Sequence, residues 1–250
     1  MFKKKYDLHY PYTYGETSSL DIFAWFKVLS ITTFALFFLT VFSKDFMDSV
    51  FPHLYNKYLI EFTVFFGIIY LLLNIAGLEW ASKDNWKLLF RKVTWKNVWM
   101  AIGYSIAAVV LSIIFAEILV KIFGTSGHAN PIATNTHTLL EYVTNQFESI
   151  FQLMGEEILA IVPFLALISL GKYLKWNQTL VTVLAIILSS ILFGMAHTWA
   201  YGGVLAGIEA TFVGRIILTL TFVKTKNIWV SYFAHYLYDF IVFTVAFLAA

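Results

Sequence analysis

The chain contains no cysteine, and it carries little charge: 13% of its 250 residues are Asp, Glu, Lys or Arg. The first absence excludes disulfide frameworks, thiolate metal sites, cysteine nucleophiles and lipoprotein anchors together. The second is about half the charge of an ordinary soluble domain. A net charge of +2 provides no dense basic face, so nucleic acid is not an expected partner. What replaces the charge is apolar. Hydrophobic residues make up 60% of the chain and aromatic residues 19%. A water-soluble fold of this length has too little interior to hide that much apolar surface. The composition therefore predicts an all-α, polytopic integral membrane protein in contact with the lipid bilayer.

Apolar runs long enough to cross about 30 Å of hydrocarbon fall at Ile22–Phe42, Tyr58–Leu78, Trp99–Phe123, Ile150–Leu170, Leu180–Tyr201, Val204–Val223 and Ile228–Ala249. This predicts a bundle of seven transmembrane helices. Residues 1–21 read as a cytoplasmic tail and 22–250 as a single membrane domain, with the first run an uncleaved span. The fourth run has a second possible start at Tyr142. An eighth, re-entrant segment within Gly124–Glu148 would change the later half of this topology. Basic residues gather in alternate connections: Lys3 to Lys5, then Lys83 to Lys96, Lys172 with Lys175, and Lys224 with Lys226. By the positive-inside rule the N-terminus is cytoplasmic and the C-terminus outside. The Trp-rich and Lys-rich loop Glu79–Val98 is expected to lie as an interfacial segment on the inner leaflet. Gly124–Thr138 is expected to be an outer loop whose His128 and His137 have no specific role.

A charged side chain at mid-span costs at least about 2.5–3.5 kcal/mol on insertion scales, so each needs a reason. Within the runs stand Glu117, Glu156, Glu157, His197, Glu209, Arg215, His235 and Asp239. Seven of these eight fall in the last four runs. Glu156 and Glu157 are adjacent, about 100° apart on a helix, so only one is expected to face a shared centre well. His235 and Asp239, four apart, share one face. A carboxylate that activates water, with imidazoles to bind metal or move protons, is a set suited to hydrolysis. By helix rise Glu156 lies about 10 Å, and His235 about 20 Å, below the outer edge of these expected spans. Glu117 and Glu209 read as structural or cavity-lining groups. Gly203, Gly207 and Gly214 read as a close-packing face.

The runs Gly155-Glu156-Glu157-Ile158, Phe193-Gly194-Met195-Ala196-His197 and His235-Tyr236-Leu237-Tyr238-Asp239 resemble the motifs EExxxR, FxxxH and HxxxN/D. These motifs belong to the CPBP (Abi) family of intramembrane proteases, which includes the CAAX-prenyl endopeptidase and bacterial proteins linked to bacteriocin immunity and peptide processing. The segment Phe222–Ser231 is also similar to the stretch that precedes the family's last motif. The resemblance runs from Phe147 to the C-terminus and places a catalytic core at about 147–250. It implies an endopeptidase acting on a membrane-associated peptide or lipid-modified protein, for CAAX-type processing or for maturation of, or immunity to, a bacteriocin or pheromone peptide. It implies a bacterial plasma membrane as the setting.

By resemblance, Glu156 with Glu157 activates the attacking water. His197, His235 and Asp239 then bind zinc or, in a metal-free glutamic protease, stabilise the oxyanion. One position departs from the pattern: Ile161 stands where the motif has arginine. Arg215 is the only arginine inside a run and is expected to take over the pairing with a glutamate; Phe193 is expected to support the site. Two other readings stand beside the protease: a non-enzymatic immunity or scaffold protein built on the same fold, favoured by the missing motif arginine, and a proton-coupled transporter. The transporter lacks support from an inverted repeat or paired helix breaks.

Overall fold

A computed structural model of the protein describes residues 9–41, 59–123 and 136–249. All regular structure among them is helical: α1 (Ile22–Val41), α2 (Leu59–Ser82), a 3-10 helix (Lys83–Leu89), α3 (Trp95–Phe123), α4 (Leu139–Tyr173), α5 (Gln178–Ala196), the single turn α6 (Thr198–Tyr201), α7 (Val204–Thr225) and α8 (Ile228–Ala249). Seven of these helices are long and apolar enough to cross a membrane. His128 and most of the Gly124–Thr138 loop lie outside the described residues, as do residues 124–135 of the expected re-entrant stretch, whose residues 139–148 are the start of α4. His137 is exposed, and only its backbone N–H is engaged, by Glu141.

The fourth span starts earlier than its apolar run. Its first three turns contain Thr144, Gln146 and Ser149, which read as a polar break but are buried inside the bundle. A capping box starts the helix. The Thr138 hydroxyl accepts from the Glu141 N–H, and the Glu141 carboxylate accepts from the Thr138 N–H, so two of the otherwise orphaned helix-end donors are satisfied. The resulting 35-residue helix runs through the centre of the molecule. It packs against α1, α2, α5 and α8, while α3 lies on the far side of α7 and α8. Ile158, Ile161, Phe164, Leu165 and Ile168 of α4 form the middle of the largest apolar core with Phe222 of α7.

The fifth span also differs: the expected run to Tyr201 breaks at His197. There the backbone tightens, the His197 N–H donating to the Gly194 carbonyl three residues back, and Gly202 takes a left-handed conformation (φ 75°) that ends the short α6.

The expected interfacial loop holds a 3-10 helix followed by residues 90–94 without regular structure. Trp80 and Trp95 are exposed, and Trp86 stacks edge-on against Phe90. The basic segments gather at one end of the bundle. Lys172 binds Glu16 (3.0 Å) and Thr13 (2.9 Å), Lys226 lies over the Tyr10 ring, and Arg91 donates to the His9 carbonyl. Burial in this strap pushes the Tyr10 hydroxyl up to about 12.

Candidate active site

Helix rise places Glu156 about 25 Å along α4 from Leu139, deep in the bundle. The early start of α4 thus removes the difference in depth that the shorter span set between Glu156 and His235.

Glu156 and Glu157 are both buried, at 7% and 0% exposure, and each takes its own partners. Glu157 is surrounded by cations and donors. Arg215 of α7 binds it with two nitrogens (Nη1 to Oε1 2.5 Å, Nη2 to Oε2 3.3 Å), and His235 Nδ1 donates to Oε1 at 2.9 Å. Arg215 is itself held by Thr219, one turn on, which accepts from Nε. The arginine missing at position 161 is therefore supplied from another helix. Ile161 is fully buried in the apolar core. A two-pronged guanidinium suits a carboxylate better than any single donor, and it compensates a charge that would otherwise be prohibitive there.

Glu156 is held more loosely. Gln152, one turn earlier on α4, donates to Oε1 at 2.9 Å, and His197 Nε2 stands 3.7 Å from Oε2. The two adjacent glutamates thus both reach one polar cluster, rather than only one facing it, because partners converge on α4 from several sides. Glu157 is fixed by a guanidinium; Glu156 has an amide and an imidazole.

The imidazoles are oriented by their other nitrogens. His197 Nδ1 donates to the Phe193 carbonyl (2.9 Å) and His235 Nδ1 to Glu157. Both therefore turn Nε2 toward the cluster. His235 Nε2 faces Asp239 Oδ2 at 3.9 Å, one turn away on α8. Phe193 fills the space between them. Its ring lies against His197 and His235, with the Arg215 guanidinium over its face at 5.2 Å.

Close packing brings these helices together. A Cβ on Gly207 of α7 would meet the Gly194 carbonyl of α5 at 2.5 Å, so both backbones need glycine there. Gly214 meets Ser112 and Tyr238, whereas Gly203 faces open space and takes no part in the expected packing face.

The trio expected for zinc does not form a ligand set in this arrangement. Among the described residues, no three His, Asp or Glu side chains gather closely enough to hold one ion.

The motifs point to the acids and imidazoles, and the lone intramembrane arginine to Arg215, but nothing in them names Gln152 or Thr219. Gln152 lies four residues before Glu156 and Thr219 four after Arg215, so four-residue spacing was the available signal.

Residues 138–241 match the family model of Rce1-like type II CAAX prenyl endopeptidases. The match is consistent with the CPBP family. The Rce1-like segment opens at Thr138, the cap of α4, and extends just past Asp239, so it spans every site residue described above. Helices α1 to α3 lie outside it. No curated protein and no solved structure matches the chain. Seven membrane-length helices and an Rce1-like segment together describe an integral membrane protein.

Proposed function

We propose that the protein is an intramembrane endopeptidase that hydrolyses a peptide bond in a membrane-associated or prenylated substrate, using Glu156 as general base. The observation that carries this reading is the division of labour between the two glutamates. Glu157 is neutralised by Arg215, whereas Glu156 has one carboxylate oxygen on Gln152 and the other 3.7 Å from His197 Nε2, with no guanidinium on it. A base needs a lone pair that is not already occupied.

In this reading a water gives a proton to Glu156 while its oxygen attacks the scissile carbonyl carbon. His197 and His235 present Nε2 to the same centre, where a protonated imidazole donates to the developing oxyanion. Asp239 positions His235. Glu156 then returns the proton to the leaving amine as the C–N bond breaks. Glu157, Arg215 and Phe193 hold the imidazoles and the charge balance in place. The catalytic core is taken as about 147–250, the basic end of the bundle as cytoplasmic with the C-terminus outside, and the membrane as a bacterial plasma membrane.

The test compares peptide termini by mass spectrometry in cells carrying the wild type or the double variant Glu156→Gln/Glu157→Gln. Termini that vanish in the variant support the protease and name its substrate. Identical termini, with the variant folded and normally expressed, would overturn it in favour of a binding or immunity protein. Processing lost on chelation and restored by zinc would replace the metal-free route with a metal-dependent one.

A further inference from the structure

Helix α2 lies outside the Rce1-like segment, yet it places an unusual pair of atoms beside the proposed base. Tyr70 is fully buried, and its hydroxyl makes no hydrogen bond; neither does Asn74 Oδ1, one turn further along the same helix. The Asn74 amide nitrogen is already committed, donating to the Tyr70 carbonyl at 2.9 Å. Asn74 is nevertheless a polar neighbour on the same face of its helix, and the Tyr70 ring faces α4 at Gly155. The ring sits directly against Gly155, the residue before Glu156, so closely that a Cβ there would overlap it. A glycine at this motif position thus has a local reason: it lets Tyr70 reach the level of the glutamate.

Burying a hydroxyl without a partner opposes folding, and phenylalanine would fill the same space without that cost. The polar tip therefore needs an explanation other than packing. We propose that Tyr70 is a further catalytic residue, whose phenolic oxygen orients the attacking water at Glu156. When a water is bound, the Tyr70 O–H turns to Asn74 Oδ1, so that both unpartnered atoms gain a partner and the phenolic lone pairs face the water. The water donates one O–H to Tyr70 and the other to Glu156. When Glu156 takes its proton, the water oxygen bonds to the carbonyl carbon; Tyr70 neither gains nor loses a proton in the step. The proposal rests on the protease reading above and extends its machinery to a helix beyond the family match.

The experiment compares wild type, Tyr70→Phe, Asn74→Leu and Glu156→Gln. Its readouts are the abundance of Glu156-dependent peptide termini in cells and the melting midpoint of each purified variant in detergent. Tyr70→Phe is expected to melt at or above the wild-type midpoint while processing falls roughly tenfold to a hundredfold, the scale of a misplaced reactant. Asn74→Leu should give a smaller fall in the same direction. Full processing by Tyr70→Phe, with Glu156→Gln inactive, would overturn the role of Tyr70 and leave the protease reading standing. A Tyr70→Phe variant that loses processing only in proportion to a lowered midpoint would show a structural tyrosine and also overturn it. If no terminus depends on Glu156, the protease reading fails and the role of Tyr70 fails with it.

Discussion

Helices α3 and α4 are both apolar enough to span a membrane, yet 72% of the most apolar stretch of α4 is buried inside the protein against 11% for α3. In water this difference would be written in the hydropathy of the two segments. In a bilayer it is not, because lipid tails and a protein interior are equally apolar surroundings. Polar residues mark the difference instead. On α4 they have specific partners: Gln152 with Glu156, and Glu157 with Arg215 and His235. On α3, Glu117 stands exposed among exposed isoleucines such as Ile113 and Ile114. Membrane burial in this protein follows the need to satisfy charge.

The sharpest way to break this comparison is to neutralise one glutamate on each helix. Glu156→Gln should lower processing by about 10²–10⁴-fold, the usual share of a general base; Glu117→Gln should leave processing unchanged. Equal effects from the two variants would remove the distinction. The next largest effect is expected from Arg215→Met, which leaves the buried Glu157 carboxylate without its cation at a cost of about 3–5 kcal/mol. Reversible unfolding in mixed micelles measures it, and a variant as stable as wild type would show the ion pair to be dispensable.

Gly155→Leu should follow. Its side chain would be driven into the Tyr70 ring, with an overpacking cost of about 1–3 kcal/mol and a displaced Glu156. Thr138→Ala removes half of the capping box and should cost about 1 kcal/mol, read as increased hydrogen exchange in the first turns of α4. At the small end, Ile113→Ala on the exposed face of α3 should change stability by less than about 0.5 kcal/mol. A large loss there would mean that the exposed face of α3, and not only the face packed on α7 and α8, is covered.

Much of the arrangement was legible in the residues, for identifiable reasons. Seven apolar runs are hard to misread, since each must be about twenty residues long to cross the hydrocarbon. Arg215 could be singled out because a lone intramembrane arginine requires a counter-charge, and Glu157 provides it. The start of α4 was hidden because Thr144, Gln146 and Ser149 look like a loop until neighbouring helices enclose them. The break at His197 was hidden because it is made by local backbone hydrogen bonding, the His197 N–H to the Gly194 carbonyl, at the end of a long apolar run. The contact of Tyr70 with Gly155 joins two helices far apart in sequence, and no spacing rule reports such a meeting.

The strap at the basic end has a consequence for biosynthesis. Tyr14 donates to Ser169, and Thr13 and Glu16 hold Lys172, so these residues find their partners only after more than 150 further residues have been made. That clasp cannot close until the whole of α4 has been made. Until then α1 and α2 sit in the membrane with the segment before them untied, and closing so long a loop defers that part of assembly until α4 is in place.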